Sequence, residues 1–210
     1  MAHVPPRQFI IKTGEEITVR SPEPADAAAL VEHIRHELLT SEFSVTQIDE
    51  FTRTEATERQ RIEESAAAPG HLSLIALHGG EIIANLGFRA HPKRRMSHHG
   101  SFGVGVSEPW RGRGVGRAII TTLLDWAAAD PAIEKGCLGV FADNHRAIAL
   151  YTSLGFIQEG FRPMEFKLGP GRYADDIQMG QWVKPVEGAP TLWQANNDGS
   201  RERTGRGTAH

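Results

Sequence analysis

Apolar residues recur along the chain in two patterns, strict alternation over short runs and helical spacing over longer ones. Alternating or continuous apolar runs predict strands at about residues 17–20, 71–77, 81–89, 97–106, 137–141, 156–161 and 176–183. Apolar residues three and four apart predict helices at about 24–39, 46–67 and 114–130, and a shorter helix beginning at Asp143 or Asn144. Residues 1–15 lack such periodicity, so we expect an extended arm there.

The order of these elements predicts a mixed α/β domain of α+β character. Gly79-Gly80 fits a tight hairpin turn between two of the strands, and a Gly/Pro-rich loop at 169–172 separates the last two. From residue 185 onward, Gly, Pro, Asn, Ser and Arg dominate without periodicity. We therefore predict one domain over residues 1–184 and a disordered tail over 185–210.

Composition narrows the classes of protein that this chain can represent. Its 210 residues are 40% hydrophobic and 23% charged, which is typical of a globular domain with a sizeable core. The net charge of −3 argues against a general nucleic-acid surface. One cysteine excludes an intrachain disulfide. Neither a signal peptide nor a membrane-spanning run is recognisable, so we expect a cytoplasmic protein without a membrane partner.

Three arginines and three glycines alternate between a predicted strand and a predicted helix, in the segment Arg111 to Arg117. Main-chain N–H groups, a helix N-terminus and guanidinium groups together suit a phosphate or pyrophosphate. A P-loop requires Lys-Ser/Thr after its last glycine, and the dinucleotide fingerprint requires Gly-x-Gly-x-x-Gly. The even spacing of Gly112, Gly114 and Gly116 satisfies neither pattern. An ordinary glycine-rich turn remains the alternative.

The pattern Arg-x-x-Gly-x-Gly in this segment resembles the coenzyme A pyrophosphate loop of the Gcn5-related N-acetyltransferase (GNAT) family. Residues 144–156 resemble the family's Asn-x-x-Ala-x-x-Leu-Tyr-x-x-x-Gly-Phe segment. Residues 173–179 resemble the Tyr-x-Asp-x-x-x-Met ending of its small-amine and ribosomal-protein branches. The likeness covers about residues 16–183, and the predicted order of elements is that of the family.

The resemblance implies a mixed, predominantly antiparallel sheet that splays around acetyl-CoA and is flanked by about four helices. It implies that the main chain of Val104 and Val106 holds the pantetheine arm and that the Val106 N–H polarises the acetyl carbonyl. The loop would bind the pyrophosphate, although Arg113 and Arg117 are equally compatible with solvated surface residues. The residues so assigned to the coenzyme are Val104, Val106, Arg111, Gly112, Arg113, Gly114, Val115, Gly116, Arg117, Asn144 and Tyr151.

Asn144 and Tyr151 lie seven positions apart, which is two helical turns, so their side chains share one stripe of the short helix. By resemblance, Asn144 hydrogen-bonds the pantetheine amide. Tyr151, a phenol with an ordinary pKa of about 10, is by resemblance the general acid that protonates the coenzyme A thiolate. From the residues alone, a helix N-cap and a core aromatic are the respective alternatives.

The general base has no clear candidate in the sequence. Many relatives carry a Glu on the strand before the loop, where this chain has Ser101. The remaining routes for removing the proton of the amine are an ordered water, His99 or Glu108. Four acids are placed to attract a cationic amine or are simply scattered over the surface; they are Glu37, Glu42, Asp175 and Asp176.

No His pair has further ligands at metal-site spacing, so we assign no metal. Cys137 lies in an apolar run and is predicted to be a small core residue, which argues against a covalent acetyl-enzyme.

The sequence thus predicts an acetyl-CoA-dependent N-acetyltransferase that acts directly on the primary amine of a small molecule, in a ternary complex. The alternatives are a protein N-terminal acetyltransferase, a coenzyme A-binding sensor and a nucleotide-binding regulator. A homodimer is compatible with this prediction.

Overall fold

A central eight-stranded sheet organises the computed structural model, which describes residues 3–185. The strands are β1 (Arg7–Ile10), β2 (Glu16–Arg20), β3 (His71–His78), β4 (Glu81–Ala90), β5 (His99–Val106), β6 (Lys135–Phe141), β7 (Ile157–Gly169) and β8 (Arg172–Trp182). The helices are α1 (Ala27–Thr40), α2 (Glu55–Ala67), α3 (Val115–Ala129) and α4 (His145–Ser153). The predicted mixed α/β class is confirmed.

The strands lie in the order β1-β2-β3-β4-β5-β6-β8-β7. Neighbouring strands are antiparallel except β5 and β6, which are parallel. The predicted sheet, mixed and predominantly antiparallel, is therefore confirmed. Gly79 and Gly80 both have positive φ and form the predicted hairpin turn between β3 and β4.

Helices cover the two faces of the sheet with separate cores. Successive residues of a strand point to opposite faces, so Leu74 belongs to one core and Ile75 to the other. Ile119 and Leu123 of α3 are fully buried in the first core, against which α4 also packs. Ile62 of α2 packs with α1 in the second. The arrangement leaves α1 and α2 on one face and α3 and α4 on the other.

Two predictions about the N-terminal half were wrong. The supposed arm contains β1, which pairs antiparallel with β2. The helix predicted over 46–67 begins only at Glu55, because Thr54 caps it: its hydroxyl accepts the Thr57 N–H at 3.3 Å, and the Thr57 hydroxyl accepts the Thr54 N–H at 2.9 Å. Ile48–Glu50 forms a separate 3₁₀ turn.

The last two strands are longer than predicted. β7 and β8 form a hairpin around the two residues Pro170 and Gly171, where we expected a four-residue loop. Apart from Pro185, the predicted tail lies outside the described residues. Within residues 3–185, no helix is long and apolar enough to cross a membrane.

Candidate active site

The sheet opens into a gap between β5 and β6. The two strands are paired only over their first residues, from His99 opposite Lys135 to Ser101 opposite Cys137. Beyond Ser101, β5 stays paired with β4 as far as Val106, whereas β6 follows β8. The strands therefore diverge, and this produces the splay that the resemblance implied.

Val104 and Val106 turn their main-chain polar groups into this gap. The Ser107 N–H donates to the Ile83 carbonyl at 2.9 Å, so odd-numbered positions of β5 are hydrogen-bonded to β4. Even-numbered positions face away from β4. The Val106 carbonyl accepts Arg111 Nε at 3.0 Å. The N–H groups of both valines point toward the gap, where a ligand can accept hydrogen bonds from them.

A cavity of about 1000 Å³ runs through the gap and is lined from both faces of the sheet. α4 contributes Asn144 and Tyr151, and α1 contributes Glu37. Its strand-borne wall includes Asn85, Gly87, Arg89, Ser101, Gly103, Val104 and Gly105. Residues of β5 and of the segment 144–151, which are far apart in the sequence, are thus brought to one cavity, whereas no residue of the loop from Arg111 to Arg117 lines it.

Tyr151 is 8% exposed and its ring packs between Phe102 and Phe156, with centroids 6.2 and 5.9 Å away. Burial raises the pKa of Tyr151 to about 12, so the phenol is protonated at neutral pH. No group in the described part of the chain hydrogen-bonds its hydroxyl. The side chain is thus a core aromatic, as the alternative interpretation predicted, and it also lines the cavity.

Asn144 caps α4: its Oδ1 accepts the Ala147 N–H at 3.2 Å. The capping alternative is therefore realised, and the residue lines the cavity as well. Because the cap uses only the oxygen, the two Nδ2 hydrogens remain as donors for a ligand amide.

The glycine-rich loop leads into α3 and leaves main-chain N–H groups of the first turn without an acceptor in the helix. Gly112 and Gly114 have φ of +80° and +105°, a region that favours glycine. The first helical bond runs from Ala118 N to Gly114 O, so the N–H groups at 115–117 have no acceptor within the helix. Val115 is fully buried and a Cβ on Gly116 would lie 3.1 Å from Leu150, so both positions offer a ligand only main-chain groups.

All three arginines of the loop contact other residues of the fold. Arg111, which the resemblance assigns to the pyrophosphate, donates to the Thr40 carbonyl and to the Val106 carbonyl, each at 3.0 Å, and so ties the end of β5 to α1. Arg117 donates to the Ser153 hydroxyl at 2.6 Å, which joins the start of α3 to the end of α4.

Arg113 stays beside the loop, where its guanidinium contacts Glu15 at 3.0 Å and covers the Trp110 ring. Sequence analysis missed Lys12, whose N–H donates to the Arg113 carbonyl at 2.9 Å. Its Cγ lies 3.4 Å from the position of a Cβ on Gly114, so this lysine adds a cation next to the loop. It was missed because the β1–β2 turn was interpreted as part of a free arm.

Glu37, which the sequence suggested only as an acid that could attract a cationic amine, was not recognised as a candidate base. Its carboxyl carbon lies 3.1 Å from where a Cβ on Gly105 would stand, so it covers β5 beside the gap. Burial raises the pKa of Glu37, although Arg111 and a hydrogen bond with Ser41 oppose the shift. The signal available in the sequence was a carboxylate on the apolar stripe of α1.

The other candidates for a base are placed differently. Ser101 lines the cavity, but His99 and Glu108 are not among its lining residues. Burial and the neighbouring His98 lower the pKa of His99, whose ring packs against His91 and His98 at the far end of β5. These two candidates are therefore not supported by the geometry.

His33 joins α1 to the strands beside the gap. Its Nε2 lies 3.1 Å from Asn85 Oδ1 and its Nδ1 lies 3.2 Å from the Ser107 hydroxyl. Burial lowers the pKa of His33, so the ring is neutral at neutral pH. These two contacts hold α1, which also carries Glu37, at a fixed distance from β5.

The remaining candidates serve the fold. Asp175 accepts the Met164 N–H at 2.7 Å, and Asp176 is buried beside the Gln178 amide. Cys137 is half-buried, and burial raises the pKa of its thiol. Among residues 3–185, no three His, Cys, Asp or Glu side chains are grouped to hold a metal.

Comparison with known proteins identifies the family. The model of the acetyltransferase (GNAT) family matches residues 32–156, which contain Glu37, the gap, the loop and Tyr151. The chain belongs to the GNAT family. Membership of this family makes the protein an N-acetyltransferase, and the family resemblance seen in its motifs is confirmed.

Individual relatives agree with this GNAT assignment. The L-amino acid N-acetyltransferase AaaT of Escherichia coli (strain K12) is 31% identical over 117 residues, which are 56% of this chain and 72% of AaaT. A solved GNAT acetyltransferase from Streptococcus pneumoniae superposes with a TM-score of 0.76 at 23% identity, covering 80% of this chain and 99% of its own. YncA from Salmonella typhimurium, solved with acetyl-CoA, gives a TM-score of 0.72 at 23% identity, covering 83% and 97%.

Proposed function

We propose that this GNAT protein transfers the acetyl group of acetyl-CoA to the primary amine of a small molecule, by direct attack in a ternary complex. The observation that carries the proposal is the cavity through the sheet, which Glu37 enters from one face and Tyr151 from the other. Donor and acceptor can approach this gap from different sides. The name of AaaT, an amino-acid acetyltransferase, supports a small amine as the acceptor.

The residues around the gap fit acetyl-CoA, which supplies the acetyl group as a thioester. The N–H groups at 115–117 and the cations of Arg113 and Lys12 suit its pyrophosphate. The outward-facing groups of Val104 and Val106 suit the pantetheine arm, and Asn144 Nδ2 suits an amide carbonyl of that arm. YncA, a structural neighbour, was solved with acetyl-CoA. The pyrophosphate and the pantetheine arm therefore each have complementary donors in the chain.

The reaction needs an acid and a base on opposite sides of the thioester. An amine with a pKa of about 10.4 must lose a proton before it can attack, and Glu37, with its raised pKa, is placed on the acceptor side to take it. The nitrogen bonds to the acetyl carbon and the carbon–sulfur bond breaks. Tyr151 gives its proton to the leaving sulfur, while the Val106 N–H stabilises the charge that develops on the carbonyl oxygen.

A thiol-release assay tests the proposal. Wild-type protein is incubated with acetyl-CoA and amino acids, polyamines, aminoglycosides or N-terminal peptides, and the acetylated product is identified by mass spectrometry. Amine-dependent release of coenzyme A with a small acceptor is the expected result. Release with peptides alone would support an N-terminal acetyltransferase. A rise in melting temperature with acetyl-CoA, but no turnover with any amine, would support a sensor.

A further inference from the structure

The cavity continues from the gap along β4 and β5 to three arginine side chains that the reaction does not use. Arg53 precedes α2, Arg61 lies in α2 and Arg89 lies in β4, and all three line the cavity. We call them the arginine cluster. Arg89 is paired with Ser101 on β5, four residues and therefore about 13 Å along the strand from Gly105.

The arginine cluster has an excess of positive charge. Glu58, which is 5% exposed, lies 3.2 Å from Arg53 Nη1 and 3.6 Å from Arg61 Nε. Glu64 also lines the cavity, but the Gln60 amide donates to it at 2.7 Å. Two carboxylates thus face three guanidinium groups. Burial first, and then the charges of Arg61 and Arg89, lower the pKa of Arg53 in spite of Glu58.

Two of the guanidinium groups have unused donors. Arg61 Nε is buried without a hydrogen-bond acceptor in the part of the chain that the structure describes. The guanidinium group of Arg89 makes no hydrogen bond or ion pair with any residue between 3 and 185. A buried charged donor without an acceptor is costly, so an anionic group placed here would be stabilised by Arg61 Nε. The exposed guanidinium group of Arg89 adds a second cation beside it.

Open space connects the arginine cluster to the gap. Gly87 and Gly103 are paired across β4 and β5, between Arg89 and Gly105. A Cβ on either glycine would meet no atom within 4 Å. A small molecule can therefore lie over this glycine pair, with one end at the arginine cluster and the other at the thioester.

We propose that the arginine cluster binds a carboxylate of the acceptor, so that the substrate is a primary amine that also carries a carboxylate. The inference rests on the proposed function and refines its acceptor. The planar fork of arginine matches a carboxylate with two parallel hydrogen bonds. A polyamine would instead place its second cation against three guanidinium groups, which repel it.

Paired acceptors test the proposal on the wild-type protein. Each amino acid is compared with its carboxamide, which keeps the amine and the side chain but removes the negative charge. We expect kcat/KM to be about 10- to 100-fold higher for the acid, the size of a charge-assisted interaction. Equal or faster turnover of the carboxamides or of spermidine would overturn the arginine cluster as a carboxylate site and leave the acetyltransferase function intact.

Single-residue variants test whether the arginine cluster causes the preference for acids over carboxamides. Arg89→Gln should raise KM for the acids about 10-fold or more and leave KM for the carboxamides unchanged. Arg59→Gln is the control, because Arg59 lies on α2 like Arg61 of the cluster but pairs with Glu55 and does not line the cavity. An equal loss for acids and carboxamides in Arg89→Gln would contradict the proposal. If no acceptor of either kind is acetylated by the wild-type protein, the proposed function itself fails.

Discussion

Burial raises the pKa of both Tyr151 and Glu37, which suits their proposed roles as general acid and general base. A phenol that loses solvent is harder to ionise, so Tyr151 keeps the proton that it must donate. A carboxyl that loses solvent binds its proton more tightly, so Glu37 is a stronger base than a surface glutamate. Tyr151 could be recognised from the sequence as the candidate acid because it lies in a contiguous motif. Glu37 could not be recognised as the candidate base, because it meets β5 only in the folded chain.

Replacing Tyr151 with Phe should remove the general acid and little else, since only a cavity-facing hydroxyl is lost. We expect kcat to fall about 100-fold or more, while the Kd of acetyl-CoA, measured by calorimetry, changes less than about twofold. Tyr173→Phe is the control, because Tyr173 is the other tyrosine and is half exposed on β8. Unchanged turnover in Tyr151→Phe would show that the proton comes from elsewhere.

Replacing Glu37 with Gln should lower kcat about 100-fold or more and change the pH profile. The base must be ionised to act, so wild-type activity declines as the pH falls through the raised pKa of Glu37. The variant has no such titration, so that decline should be absent from its profile. Glu42→Gln, in the exposed loop after α1, is the control. A variant profile with the same low-pH decline would assign it to another group.

At the scale of elements, the start of α3 should be sensitive to any side chain at Gly114. The residue has φ of +105°, so Gly114→Ala is strained by about 1–2 kcal/mol and its Cβ approaches Lys12. We expect a lower melting temperature together with a higher KM for acetyl-CoA. Gly79→Ala is the control, because Gly79 has φ of +57° in a hairpin turn away from the site. Equal effects of both variants on KM would argue against an anion site at α3.

Elements with a continuous apolar pattern were predictable from the sequence. Elements that form only by pairing with another segment were not. The helix behind the glycine loop has apolar residues throughout one face, and its bounds of 115–129 agree with the predicted 114–130. β1 has only four residues and becomes a strand because β2 offers it a partner. The same reason explains why Arg53, Arg61 and Arg89 were not recognised together: three different elements carry them.

At the scale of the molecule, the proposed reaction places the two substrates on opposite faces of the sheet. α3 and α4 provide the coenzyme side, α1 and α2 provide the acceptor side, and the gap between β5 and β6 is the passage between them. Every residue that lines this passage lies within residues 22–166. The prediction of one catalytic domain over residues 1–184 is compatible with this distribution.

A chain that ends at Pro185 should therefore keep its function. We expect its melting temperature and its kcat/KM to stay within about 2 °C and twofold of the full-length values, because the residues of both cores and of the cavity described above all lie before Pro185. Thermal denaturation and the thiol-release assay check both. A large loss of activity with an unchanged melting temperature would show that residues 186–210 take part in the reaction.

The gap between β5 and β6 is the feature on which the proposed reaction depends, and amide hydrogen exchange with and without coenzyme A measures it directly. Binding should slow the exchange of the Val104 and Val106 amides and of residues 112–117, because each would gain an acceptor or lose contact with solvent. Amides of Gly103 and Gly105, already bonded to β4, should change less. Protection confined to other regions, such as the β7–β8 hairpin, would contradict acetyl transfer at this gap.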